Sequence, residues 1–339
     1  MISIKTAVVV LSFAMLVFQG STGYKVLTRY PVPGNGSFDY VAIDSQARRI
    51  YASHGTQVDV VDADNGKLIG TITDTPGVHG AAIASEFKQG FTSNGREDKV
   101  SIFDTTTLKT IRKIDVGKGP DGIYYDPKTK RVFTNNHGTH DITAIDAKTG
   151  TVVGTVKAET DGEQAIIGAD GMIYVNGENT NDVVVFDPKT LEVKKRFPIG
   201  VAKTPTGLAY DAKTNRLFIG CRSEPRMVVM DAATGKVIKD FPIGKGVDYA
   251  GFDAQAKLIF FSCGEGILSI YHEKSADDYE DAGAVKTQPS AKTMAFDEKT
   301  KKVFLTAVEY GEAPAPAAGA RPARPPVKPD SFTVLVVGK

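Results

Sequence analysis

The sequence predicts an all-β protein: a seven-bladed β-propeller with four antiparallel strands per blade. Three observations predict it. A pair of apolar strands recurs seven times along the chain. The recurrences are about 40–45 residues apart, the length of one four-stranded blade. Two kinds of polar turn recur at fixed places inside each repeat, as hairpin connections require.

Residues 1–23 stand apart from the repeats. Lys5 is their only charge, and an apolar run from Ala7 to Phe18 follows it. That run is too short to cross a bilayer comfortably but suits the core of a secretory signal. Ser21-Thr22-Gly23 supplies small residues for cleavage, which places the mature N-terminus at Tyr24. No later stretch is long and apolar enough to span a membrane, so the expected location is periplasmic or secreted. Residues 24–339 are expected to form one propeller domain.

The repeat pairs Phe38–Asp44 with Arg49–Ala52, Gly80–Ser85 with Gly90–Thr92, and Asp121–Asp126 with Arg131–Thr134. It continues as Glu163–Gly168 with Met172–Val175, Thr206–Asp211 with Arg216–Ile219, Asp248–Asp253 with Lys257–Phe260, and Lys292–Asp297 with Lys302–Leu305. The residues closing each first strand fall at 44, 85, 126, 168, 211, 253 and 297, in steps of 41, 41, 42, 43, 42 and 44. Asp126-Pro127-Lys128-Thr129-Lys130 is a turn of the first kind, and Asp146-Ala147-Lys148-Thr149-Gly150 is one of the second. A third strand precedes each turn of the second kind and a fourth follows it, as in Val183–Phe186 and Val152–Val156. The inner strands are apolar at successive positions, which fits sheets covered on both faces.

The two ends complete the ring. Val26–Val32 reads as an outermost strand with no blade before it, and Phe332–Val337 as a third strand with no fourth after it. Together they make one blade and leave no open sheet edge.

The Ile173-Tyr174-Val175-Asn176 core and the Asp-Pro/Ala-Lys-Thr turns resemble the YVTN/YncE-like family of bacterial seven-bladed propellers. The resemblance covers essentially the whole of residues 24–339. It implies the fold and not an activity: related propellers include DNA-binding, surface-layer, lactonase-like and lyase proteins, and subunits beside redox partners.

One face of the disc carries longer, more varied loops, and its central mouth is the expected binding surface. Five positions before each closing residue lie Asp39, Gly80 (with His79 beside it), Asp121, Glu163, Thr206, Asp248 and Lys292. The carboxylates Asp39, Asp121, Glu163 and Asp248 thus face one mouth. They either accept hydrogen bonds from nearby loops, hold a hard cation such as calcium, or supply a catalytic group. The loops between second and third strands add His54, Asn94, Arg96, Asn135, Asn136, His137, His140, Asn176, Glu178, Asn179, Arg222, Glu224, Arg226, Glu265, Glu309 and Tyr310. His137 and His140 with Asp141 are candidates for part of a zinc or copper site.

The leading expectation is a non-catalytic scaffold binding a small molecule, a protein or another cell-envelope partner. Its ligand surface would comprise Asp39, His54, His79, Asp121, His137, Glu163, Asp248 and Lys292. The alternative is a metal-assisted hydrolase or lyase of lactone-like molecules, with Glu163, Asp121 and His79 as the groups to test. DNA binding follows from family analogy only. Lys+Arg number 41 against Asp+Glu 40, a net charge of +1. That balance and an acidic mouth speak against a nucleic-acid partner. No Cys-x-x-Cys-His occurs, which excludes covalent haem, and the absence of Trp disfavours a quinone-type propeller.

Cys221 and Cys263 each stand ten residues after a closing Asp, so they occupy equivalent sites on adjacent blades. Adjacent sheets lie too far apart for a disulfide, and two buried free thiols are expected. Residues 311–330 form an insert with six prolines, read as an extended, flexible loop on the functional face.

Overall fold

The computed structural model describes residues 22–313 and 325–339. The expected signal core and the middle of the Pro-rich insert lie outside these residues. Seven four-stranded antiparallel sheets form the ring. Blade one runs inward to outward as Phe38–Asp44, Arg49–His54, Gln57–Asp62 and Leu68–Ile72. In blade seven, Met294–Asp297, Lys302–Ala307 and Thr333–Gly338 are followed outward by the N-terminal strand Lys25–Pro31. The closure read from the two chain ends is therefore present. A 3-10 turn at Ser85–Phe87 is the one helical element among the described residues.

The core lies between blades. Tyr174, Val183 and Val185 of blade four pack on Leu208, Leu217 and Ile219 of blade five. Phe133 of blade three meets Phe186 of blade four with ring centroids 5.5 Å apart. Cys221 belongs to the cluster between blades four and five, and Cys263 to the one between five and six. Each thus faces the preceding blade, and both are buried free thiols.

The turns follow from their Asp residues. Asp126 accepts from the N–H groups of Lys128 and Thr129 at 3.0 and 3.2 Å. Asp211 and Lys213 repeat this at 2.9 Å. The residue just before the second strand adopts left-handed backbone, with φ of 58° at Arg48, 59° at Lys130 and 58° at both Lys257 and Lys301. Left-handed geometry costs a side-chain-bearing residue energy. Here it throws a long cation back onto the preceding blade. Arg48 reaches Asp297 at 2.6 Å, Lys257 reaches Asp211 at 2.8 Å, and Lys301 reaches Asp253 at 3.1 Å.

The insert is tethered more firmly at its base than its composition suggests. Tyr310 pairs with Val327, Gly311 N–H donates to Pro326 O at 2.8 Å, and Lys328 N–H donates to Glu309 O at 2.8 Å. Val327 rests against the core between blades seven and one.

Candidate functional site

Each of the first six inner strands begins with one ladder pair and then slips register. The slips lie between Phe38 and Val41, Val78 and Ala81, Pro120 and Ile123, Gly162 and Ala165, Pro205 and Gly207, and Val247 and Tyr249. Such bulges re-aim a side chain. The residue after the first pair is Asp39, His79, Asp121, Glu163, Thr206 or Asp248, and Lys292 holds the corresponding place in blade seven. Blade two therefore contributes His79, and the sequence expectation of Gly80 is corrected. Ala84 pairs with Gln89 as Asp44 pairs with Arg49, each across four residues, so Ala84 and not Ser85 closes the first strand of blade two.

The backbone of this ring is locked by the neighbouring blade. Asn135 Nδ2 donates to Glu163 O at 2.8 Å, and Asn176 Nδ2 to Gly207 O at 2.9 Å. Ser93 donates likewise to Asp121 O, and Ser262 to Lys292 O. Thr293 and Thr306 of blade seven donate to Asp39 O at 2.8 and 3.1 Å, which seals the ring. Asn94, Asn135, Asn136 and Asn176, expected on loops, are buried strand residues.

The ring side chains divide into two halves. On one side His79 Nδ1 donates to Asp39 Oδ2 at 2.7 Å and lies 3.3 Å from Asp121 Oδ2. His137 Nδ1 lies 3.8 Å from the same Asp121 oxygen, while its Nε2 donates to Gly162 O at 3.0 Å. Gly119, with φ 60°, aims its carbonyl at His137 N–H, 3.0 Å away. Gly95 leaves room for the His79 ring, since a Cβ there would meet Nε2 at 2.8 Å. On the other side Lys292 Nζ meets Asp248 Oδ2 at 2.5 Å and Asp39 Oδ1 at 3.6 Å. Arg222 bonds Asp248 and also Glu178, the latter at 2.9 Å.

Glu163 stands between the halves. Tyr40 OH crosses from blade one and donates to Glu163 Oε2 at 2.8 Å. Below this bond the channel narrows to a cavity of ≈ 60 Å³ lined by Tyr40, Tyr124, Glu163, Gln164 and Tyr249. Gln164 spans the channel. Its Oε1 accepts from Leu208 N–H at 2.8 Å and Ala250 N–H at 2.9 Å, and its Nε2 donates to Ala250 O at 2.9 Å.

These contacts set the charges. Burial works against ionisation of Asp39, but the His79 hydrogen bond and the nearby Lys292 outweigh it and hold the carboxyl below its usual range. Burial pushes Asp121 up despite the pull of His79 and His137. Burial, with the charges of Asp121 and Asp248, pushes Glu163 well above the usual carboxyl range. Burial disfavours the charged forms of His79 and Lys292, yet their carboxylate neighbours raise both.

Several expected groupings are absent. The four carboxylates share the mouth but do not converge on one point: Asp248 is taken by Lys292 and Arg222, and Glu163 by Tyr40. His54 is 2 % exposed, bonded through Nδ1 to Asp59 Oδ2 at 2.8 Å and packed at a tilt against the Phe332 ring, so it is no part of the open mouth. His140 pairs with Asp161 at 2.6 Å, and Asp141 accepts from Asn136 and Thr139. The His137–His140–Asp141 cluster is thus not assembled. Among the described residues Asp39, His79 and Asp121 are the one such group whose ligand atoms converge, within 4.8 Å of one another. Tyr40 and Gln164 were not singled out by sequence. Their signal was position: each directly follows a ring residue.

Fold and mouth together define a seven-bladed propeller with an ionisable ring at one end of its central channel. The chain belongs to the YNCE-like β-propeller family, whose model matches residues 77–303. It is 27% identical over 147 residues to the uncharacterized protein YncE of Salmonella typhi, covering 40% of this chain and 41% of that protein. The corresponding YncE of Escherichia coli O157:H7 is 26% identical over 147 residues, with the same coverage. The match thus spans about two-fifths of those relatives' length. Among solved structures, a chain of Kuenenia stuttgartiensis hydrazine synthase superposes with a TM-score of 0.70 at 16% identity, over 80% of this chain and 92% of that one. A chain of the mitotic checkpoint complex superposes with a TM-score of 0.75 at 12% identity, over 100% and 97%. Both likenesses show the fold alone. No helix among the described residues is long and apolar enough to cross a membrane.

Proposed function

We propose that this chain is an exported propeller scaffold, periplasmic or secreted, that binds a ligand or protein partner at its central mouth without catalysis of its own. The observation that carries this reading is the ring itself. Six of its seven positions are ionisable, and the adjacent blade clamps the backbone carbonyl of four of the six, at Asp39, Asp121, Glu163 and Lys292. The side chains therefore present a fixed pattern: an imidazole–carboxylate half of Asp39, His79, Asp121 and His137, and a cationic half around Lys292 and Arg222. Such a surface suits a ligand group carrying both signs, such as a partner loop with adjacent acidic and basic side chains. The small cavity beneath the ring, ≈ 60 Å³, favours capture at the surface over reaction in a deep pocket.

The test is capture by immobilised residues 24–339 from an envelope extract at low salt, against Lys292→Gln and Asp39→Asn. The reading expects a protein retained by the wild type and lost in both variants. Equal retention by all three, or none by the wild type, would sink it. Intact-mass analysis of the exported chain checks the start at Tyr24.

A further inference from the structure

The acidic half of the mouth brings imidazole nitrogens and carboxylate oxygens close together. His137 donates its Nε2 proton to Gly162 O at 3.0 Å. In the neutral ring this leaves a lone pair on Nδ1. That lone pair faces Asp121 Oδ2, another acceptor, at 3.8 Å. Two acceptors directed at each other need a proton or a cation between them, and a metal ion can fill that place. Asp121 Oδ1, on the same carboxylate, is buried and has no hydrogen-bond partner. His79 Nδ1 meets this carboxylate at 3.3 Å and Asp39 at 2.7 Å.

We propose that the converging His79 Nδ1 and one oxygen each of Asp39 and Asp121 form the base of a binding site for a late first-row divalent metal ion, completed by His137 Nδ1 moving in on loading, with zinc as its natural probe. Tetrahedral zinc holds nitrogen and oxygen ligands at about 2.0–2.2 Å, which puts neighbouring ligand atoms roughly 3.3–3.5 Å apart. The Asp121–His79 separation of 3.3 Å already has this value. The Asp39–His79 pair at 2.7 Å has to open by about 0.6 Å, and the His137–Asp121 pair at 3.8 Å has to close by about 0.4 Å. His137 lies outside the converging group of Asp39, His79 and Asp121, so its ring also has to swing toward His79 to complete the site. Gly162 O orients His137 from behind, as carbonyls do for metal-ligating imidazoles.

The donor set selects the ion. Calcium takes six to eight oxygens. Here two of four donors are imidazoles, and the remaining ring carboxylates are taken by Lys292, Arg222 and Tyr40. Nitrogen with carboxylate oxygen suits zinc and its neighbours. Metal binding replaces the proton that His79 shares with Asp39, so protons are released on loading. The site shares the mouth with the binding role above and does not depend on it. A chain that holds zinc and captures no partner would separate the two.

The experiment is zinc titration of chelator-stripped residues 24–339 by calorimetry, with cobalt(II) as a spectroscopic probe. The expected result is one zinc per chain, intense visible bands of four-coordinate cobalt, and proton release. His79→Gln and His137→Gln each weaken zinc by roughly 100-fold or more, since outer partners alone are worth 10–100-fold. His140→Gln, on an exposed His paired elsewhere, leaves binding unchanged. Thermal melts of each variant identify any that fails to fold, and the wild-type stoichiometry stands without them. The proposal is overturned by no zinc bound to the wild type, by affinity unmoved in both His79 and His137 variants, or by calcium displacing zinc.

Discussion

Gln164 offers the sharpest test of how the mouth is supported. The inner strands edge the central channel and leave backbone groups to be satisfied across it. Gln164 meets three of them: Leu208 N–H, Ala250 N–H and Ala250 O, at 2.8, 2.9 and 2.9 Å. One side chain of blade four thereby ties blades five and six. Gln164→Leu keeps the size and removes every bond. A buried backbone group left without a partner costs about 1–3 kcal/mol. Water in the ≈ 60 Å³ cavity recovers part of that. The expected loss is about 2–4 kcal/mol rather than the full sum over three groups. At roughly 2–4 °C per kcal/mol, this lowers the melting temperature by roughly 5–15 °C. Urea unfolding measures the free energy, and hydrogen exchange at Leu208 and Ala250 reads the bonds directly. A loss under about 1 kcal/mol, or amides that stay equally protected, would refute the claim that Gln164 closes the channel.

Other predictions concern charge. Burial opposes the ionised form of Asp211, but Lys257 and the Lys213 N–H outweigh it and hold the carboxyl at about 2, below the ordinary 3.8. Its contribution is therefore present above pH 3.8 and lost as pH falls through about 2. At ~1.4 kcal/mol per pH unit, reduced for solvent screening, Asp211→Asn should cost about 1–2 kcal/mol at neutral pH. Urea melts of the two proteins should converge near pH 2; a constant gap would refute the assignment to charge. Glu163 has the opposite sign. Its folded carboxyl is raised, so its contribution is full below the ordinary 4.5 and is lost as pH rises. Glu163→Gln should therefore melt at or above the wild type at neutral pH, with the advantage closing near pH 4.5. A variant less stable at neutral than at acid pH, relative to wild type, contradicts this. Burial pushes both Cys221 and Cys263 up to about 12. A thiol reagent should label neither in the native chain and both in denaturant; rapid native labelling would contradict their burial.

The fold was legible because seven repeats state the same constraint. Apolar strands must face neighbours on both sides, turns need Asp at their heads, and chain ends must pair to remove an edge. The ring was legible to within one residue. Its single slip, Gly80 for His79, arises because Ser85, which the spacing aligns with the closing Asp residues, belongs to the turn, while Ala84 closes the strand. The misplacement of His54 had a signal in the sequence. His54 stands ten residues after Asp44, as Cys221 and Cys263 stand ten after their closing Asp residues. All three pair with the first residue of an inner strand, and all three are buried. A position dry enough for a free thiol was not one for an open-mouth histidine. The next position along holds His137, Glu178 and Arg222, which reach the mouth. What no single repeat shows is who meets whom across the channel, as Tyr40 meets Glu163 from three blades away.

The same structure explains why family membership identifies the fold so much better than the function. At the ring position the fold uses the backbone. The bulge needs a residue that tolerates it, and the preceding blade's Ser, Asn or Thr needs its carbonyl oxygen. Asn176 of the Ile-Tyr-Val-Asn core belongs to that blade-to-blade clamp, bonding the carbonyl of Gly207 just past the ring position. The side chain at the ring position takes no part in these bonds. Asp, His, Glu, Thr and Lys therefore occupy equivalent places in one chain without altering the blade. Repeat patterning constrains what the scaffold requires and leaves free the side chains that would select a ligand. In this chain those free positions carry an imidazole–carboxylate half and a lysine, joined by Arg222 from the neighbouring strand end, and the proposed binding role rests on them.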